Sequence, residues 1–153
     1  MPIDYARRHL QIGWWSLFVF AGLGLLLESF HGFKIRAYLD VSNETRRLMW
    51  RLAHAHGTLV GVVHVLFGLL LGDGNVSFRN VRTISIALIG AGALLPLGFF
   101  LGGIRFYGGD PGIGVVLVPV GAILLLTGLF LIASGLRAAP SRPPANPRKE
   151  AAR

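Results

Sequence analysis

The chain has 153 residues, of which 53% are hydrophobic and only 14% charged, and its mean hydropathy is +0.60. A soluble domain carries nearer one quarter charged residues, so this composition requires apolar runs long enough to cross a bilayer. No cysteine is present, which excludes disulfides, thiolate metal ligands and c-type haem attachment. The net charge of +8 would suggest nucleic acid in a soluble protein. Here many basic residues lie beside apolar runs or in the tail, which indicates membrane topology and anionic lipid instead.

The first apolar run, residues 11–30, is long enough to span the bilayer and follows a short polar start, residues 1–10. A signal peptide would need a shorter run and an A-x-A cleavage pattern, so we expect a retained helix. Trp14 and Trp15 are placed for an interfacial aromatic belt. At 100° per residue, an arc of about 80° holds small and polar residues. They are Ala21, Gly24, Glu28 and His31.

The second apolar run, residues 52–71, carries several ionisable side chains. Ser42 or Asn43 is a plausible N-cap with Glu44 in the first turn, so the helix begins outside the bilayer. One narrow stripe of this helix holds His54, Gly57, Gly61, His64 and Gly68. His56 lies on the opposite side. Glycines let a second helix approach closely, so these imidazoles are expected in a protein contact rather than in lipid.

Two further apolar runs, residues 83–103 and 112–136, flank a turn-rich loop. Residues 138–153 are proline-rich and charged, which predicts a disordered tail. The sequence therefore predicts an all-α polytopic membrane protein, in which residues 1–137 form a four-helix transmembrane bundle. Its first two helices are expected to be the tightest pair.

Four spans place both termini on one side of the membrane, and the distribution of basic residues favours the cytoplasm for that side. The terminal side holds Arg7, Arg8, Arg79, Arg82, Arg137, Arg142, Arg148, Lys149 and Arg153. The opposite side holds Lys34, Arg36, Arg46, Arg47, Arg51 and Arg105.

Antiparallel packing of the first two spans brings Glu28 and His31 to the same membrane face as His54 and His56. Imidazole and carboxylate ligands suit a borderline divalent metal such as zinc or copper, so these four residues are candidate metal ligands. A di-iron bundle site would need a second Glu-x-x-His motif and two more glutamates. The alternative is an interfacial polar patch with a structural contact between Glu28 and His54.

His64 lies near the middle of its apolar run, about 15 Å from His54 by helix rise, so the two cannot share an ion. A buried membrane histidine indicates function: it can ligate a haem b iron, relay a proton or hydrogen-bond a quinone. A bis-histidine haem needs a second imidazole at that depth, which we expect only from a homodimer mate. The alternative is an interhelical hydrogen bond, for instance to Thr127.

Nucleophile, metalloprotease, P-loop and dinucleotide motifs are absent from the sequence, so no catalytic residue is assigned. We expect a small integral membrane subunit or accessory protein, bound to other membrane subunits or to itself, with His54 and His64 as candidate cofactor ligands. The alternative is a membrane enzyme or proton-coupled transporter that uses the face formed by Glu28, His31, His54 and His64. A third reading is a scaffold without a ligand.

Overall fold

The structure is a computed structural model that describes residues 4–73, 76 and 78–137. Its helices are α1 (Tyr5–Gly32), α2 (Arg36–Leu39), α3 (Glu44–Gly72), α4 (Val81–Gly102) and α5 (Leu117–Arg137). Two short 3-10 turns precede α3 and α5. Within the described ranges no strand forms, apart from one isolated bridge between Tyr107 and Asp110. The predicted tail, residues 138–153, lies outside them.

The four long helices pack together as a bundle, which confirms the predicted all-α, four-helix fold. Each is long and apolar enough to cross a membrane, the last counted from its preceding 3-10 turn. The outer faces of α1 and α5 remain largely uncovered by protein, as suits helices in contact with lipid. The chain is therefore a bundle with four candidate membrane spans.

Three helices begin earlier than the apolar runs that predicted them, α4 by only two residues. The Asp4 carboxylate accepts a hydrogen bond of 3.0 Å from the backbone N–H of Arg7, which caps α1 and makes residues 5–10 helical. α3 begins at Glu44, after Asn43 in the N-cap position, although the Asn43 side chain makes no capping bond. Polar residues outside the apolar runs therefore belong to the bundle.

The helices alternate in direction, so the bundle has two distinct ends. The start of α1, the end of α3, the start of α4 and the end of α5 form one end, which we call the terminal face. The opposite end carries α2 and residues 103–116, and we call it the loop face. Two apolar clusters fill the interior. The cluster toward the loop face contains Met49, Ala53, Val60, Ala91, Leu95 and Phe99, and the one toward the terminal face contains Phe67, Phe78, Ile84 and Leu88.

The interface between α1 and α3 is the most extensive of the described helix contacts, as predicted. The backbones meet at Gly13, where an added Cβ would lie 2.6 Å from Val65 Cγ2 and 2.9 Å from the carbonyl oxygen of Gly61. Only glycine permits this approach. The predicted stripe of α3 faces α1 along its length: Gly57 packs on Phe20, Gly61 on Ser16 and Leu17, and Gly68 on Leu10.

Candidate functional site

A cavity of about 780 Å³ opens between α1 and α3 toward the loop face. Three of the predicted metal ligands, Glu28, His31 and His54, line it. The other lining residues are Ala21, Gly24, Leu25, Leu27, Tyr38, Arg47, Arg51 and Ala55. We call this space the interhelical cavity. Its volume lies within the range of small-molecule binding pockets, about 300–1,000 Å³.

The imidazole of His54 is held across the gap between the two helices. Its Nδ1 lies 2.6 Å from the backbone carbonyl oxygen of Phe20, so Nδ1 carries the proton and donates it. The ring lies where a side chain at Gly24 would otherwise stand, since an added Cβ there would overlap the imidazole. In the neutral form Nε2 is then the acceptor of His54.

Two guanidiniums lie on the cavity wall beside these residues. Nη1 of Arg47 donates to the carbonyl oxygens of Tyr38, at 3.2 Å, and Asp40, at 2.9 Å, which ties α3 to α2. Nε of Arg51 lies 3.4 Å from the carbonyl oxygen of Arg47. Two guanidinium cations against the single carboxylate of Glu28 favour an anion over a metal cation in this cavity.

The predicted metal centre is not assembled in the described part of the chain. Glu28 and His31 are exposed, and no three His, Asp or Glu side chains there lie close enough to hold one ion. His56 lies apart from the other candidates: its Nδ1 is 2.9 Å from the Leu52 carbonyl oxygen, and its ring packs on Phe99 of α4. Metal binding through these residues stays a prediction.

A smaller cavity of about 540 Å³ adjoins the first through His31 and is lined by Lys34, Arg36, Leu39 and Asp40. The Asp40 carboxylate accepts hydrogen bonds from Oγ of Ser42, at 2.6 Å, and from its backbone N–H, at 2.8 Å. Both bonds lower the pKa of Asp40 below its ordinary value, and the bond from the hydroxyl has the larger effect.

His64 occupies a second site, where the structure differs from the sequence-based expectation. Its Nδ1 lies 2.7 Å from Nδ1 of His9 in α1, and Nε2 of His9 lies 2.9 Å from Oγ of Ser85 in α4. All three residues are at most 1% exposed. We call them the buried histidine cluster. It joins three helices near the terminal face.

Three details predicted for His64 were therefore wrong. A second imidazole comes from the same chain, because the Asp4 cap places His9 inside α1 rather than in a polar leader. The interhelical hydrogen bond expected as the alternative is present, but it joins His64 to His9, and Thr127 donates its hydroxyl to the carbonyl of Ile123 in its own helix. His64 also lies eight residues before the end of α3, about 12 Å from that end by helix rise, rather than midway along the helix.

The surroundings of the cluster are apolar and closely packed. The rings of His9 and His64 stack with centroids 4.9 Å apart, and Phe67 meets His9 edge-on at 4.8 Å. Within the described residues Nε2 of His64 makes no hydrogen bond, and it would lie 3.1 Å from a Cβ added at Gly92. This contact leaves no room for a porphyrin at Nε2, so the predicted haem b would require the helices to separate.

The sequence-based prediction missed His9 and Ser85. Asp4 was the available signal, because aspartate is a strong N-cap and would have extended α1 past His9. No comparable signal marks Ser85, since buried serines are common in membrane helices. No protein-family model, curated protein or solved structure matches this chain.

Proposed function

We propose that this chain is a small multi-pass membrane protein, a subunit or accessory protein of a membrane assembly, that takes up and releases a proton at the buried histidine cluster. The observation that carries the proposal is the continuous hydrogen-bonded chain Ser85–His9–His64 in the bundle interior. Ionisable side chains are expensive inside a membrane and mark proton or ligand sites there. The charge bias of the sequence favours the cytoplasm for this end of the bundle.

The chain of three side chains has two proton arrangements. In the first, the Ser85 hydroxyl donates to Nε2 of His9, whose Nδ1–H donates to Nδ1 of His64, and the single ring proton of His64 is on Nε2. In the other, each of the two hydrogen bonds runs in the opposite direction. A proton that enters at the Ser85 oxygen and passes through both hydrogen bonds leaves His64 protonated on both ring nitrogens, and the reverse passage returns it to the terminal face.

The position of the cluster suits exchange with one side of the membrane only. Ser85 lies four residues into α4, about 6 Å from the terminal face. The inner end, Nε2 of His64, packs at Gly92, seven residues or about 10 Å deeper along α4. Beyond it the interior toward the loop face is apolar and contains Val60, Ala91 and Leu95. This arrangement favours a proton-binding site or a gate over a continuous proton wire.

Histidine-labelled protein in lipid nanodiscs tests this proposal by nitrogen-15 NMR. We expect a through-hydrogen-bond correlation between the Nδ1 atoms of His9 and His64, and tautomer populations that change with pH. His56→Asn, which removes an imidazole outside the cluster, should leave both signals unchanged. A single tautomer pair that persists at every pH at which the fold survives would show a purely structural contact.

A metal or haem function remains the second candidate, favoured by one detail. A histidine that ligates a metal usually donates its other ring N–H to a carbonyl, and His54 does so to Phe20. Metal analysis and an absorbance spectrum of the purified protein test this reading. Stoichiometric metal or a Soret band, lost in His54→Ala, would establish a cofactor site and a membrane redox or transport role.

A further inference from the structure

We infer that the interhelical cavity binds an anionic lipid, with its phosphate at Arg51 and its acyl chain along α1. This inference is independent of the proton site, because it rests on the other end of the α1–α3 interface. Three features of the cavity carry it: the charge of its wall, the free donors on that wall and the apolar strip beneath them.

The polar part of the wall is cationic. The interhelical cavity and its smaller neighbour together present four cationic side chains, Arg47, Arg51, Lys34 and Arg36, against the carboxylates of Glu28 and Asp40. A concave surface that carries an excess of one charge concentrates ligands of the opposite charge. An anion is therefore the ligand that this wall recognises.

The guanidiniums retain hydrogen-bonding capacity for a ligand. Each guanidinium carries five N–H donors in a planar fork that matches phosphate oxygens. The bonds to backbone carbonyls engage Nη1 of Arg47 and Nε of Arg51. Arg51 is exposed, whereas Arg47 is half-buried and anchored, so Arg51 is the side chain that can move onto a bound headgroup.

The apolar part of the wall indicates an amphiphile rather than a free anion. Ala21, Gly24 and Leu25 of α1 line the cavity and lead away from the charged mouth. From His31 to Ala21 the cavity follows ten residues of α1, about 15 Å, which is half the hydrocarbon thickness of a bilayer. Leu25 is 71% exposed, so this strip continues onto the outer surface of the helix, where acyl chains lie.

The depth of the cavity also fits a lipid. The headgroup region of a bilayer lies at the ends of the spans, where α1 ends at Gly32 and where Arg47 and Arg51 lie in the first two turns or so of α3. A lipid that enters between the helices keeps its phosphate at its normal level and its chain in the hydrocarbon. Desolvation of the headgroup is then small, and recognition comes from charge-assisted hydrogen bonds.

Lipid retention measured by native mass spectrometry tests the inference. The full chain is extracted from nanodiscs of equal phosphatidylglycerol and phosphatidylcholine with matched acyl chains. We expect one phosphatidylglycerol retained per chain, in at least about tenfold preference over phosphatidylcholine, the ratio that a single charge-assisted contact supplies. Arg51→Gln should remove most of that preference, and Arg51→Lys, which keeps the charge but not the fork, should remove part of it.

Arg105→Gln is the matched control, because it removes one exposed cation from the same face outside the cavity. It should leave retention unchanged. An equal loss in Arg51→Gln and Arg105→Gln would reduce the effect to general surface charge and overturn the inference. Stabilisation of the detergent-solubilised protein by inorganic phosphate, without selective retention of phosphatidylglycerol, would show a free-anion site and overturn it as well.

Discussion

The two ends of the α1–α3 interface place imidazoles in opposite surroundings. Toward the terminal face the backbones touch at Gly13, and His9 and His64 meet in a sealed interior. Toward the loop face the His54 ring and a cavity separate the helices, and His54 lies beside guanidiniums. Helix separation, more than residue type, therefore decides whether a membrane histidine bonds to another side chain or faces a ligand.

Gly13→Ala is expected to have the largest effect, because it tests the close contact of α1 and α3 toward the terminal face. The new Cβ would lie within 3 Å of the Val65 backbone nitrogen and the Gly61 carbonyl oxygen, so the helices must separate. We expect a loss of about 2–3 kcal/mol in the free energy of unfolding, measured in mixed detergent micelles. Gly22→Ala on the same helix meets nothing within 4 Å and should be neutral or stabilising. Equal stability of the two variants would contradict the close contact.

His64→Ala tests the sealed end alone. It leaves Nδ1 of the buried His9 without its partner and opens space beside Phe67. We expect a loss of about 2 kcal/mol in the free energy of unfolding, somewhat more than an average membrane hydrogen bond supplies. His31→Ala removes an exposed imidazole at the open end and should change it by less than about 0.5 kcal/mol. Comparable losses in both would show that the two ends do not differ in packing.

The same contrast separates what the sequence could predict from what it could not. Apolar run length predicts the four spans, and the 100° periodicity correctly orients His54, Gly61 and His64 toward α1, because both depend on local geometry. Glu28 and His31 reach the same cavity as His54 for the same reason. Helical periodicity is thus informative about which residues share a face.

Contacts that depend on helix ends and side-chain reach were beyond the sequence. An apolar run ends where charged residues begin, so run length predicts a polar start over residues 5–10. The Asp4 cap makes these residues helical instead. Ser85 meets His9 only through the register of α4 against α1, which no local pattern determines. In the sequence the cations of the cavity indicate only membrane orientation. Their proximity to His54 depends on the folded connection through α2.

Ser85→Ala probes the outer end of the buried histidine cluster with a smaller change. Removing the hydroxyl leaves Nε2 of His9 unpaired, and we expect a loss of about 1 kcal/mol in the free energy of unfolding. The His9 tautomer should also become fixed in the nitrogen-15 spectrum, because its exchange partner is gone. Ser29→Ala, which removes a hydroxyl bonded to the Leu25 carbonyl of its own helix, should change neither quantity. Unaltered His9 exchange in Ser85→Ala would remove Ser85 from the relay.

The smallest effect is expected at the rim of the open end, at Asp40. Its pKa in the folded protein is lowered, first by the Ser42 hydroxyl, so folding is favoured when the carboxylate is ionised. That contribution is complete above the unfolded-state pKa of 3.8 and is lost as the pH falls through the lower folded value. Ser42→Ala should therefore raise the pKa of Asp40, as followed by carbon-13 NMR of the carboxyl group. The free energy of unfolding should also decrease less steeply as the pH becomes acidic. Ser134→Ala is the control at the far end of the bundle, and an unchanged Asp40 titration in Ser42→Ala would assign the lowered pKa to the Ser42 backbone N–H and the nearby charge of Arg47 instead.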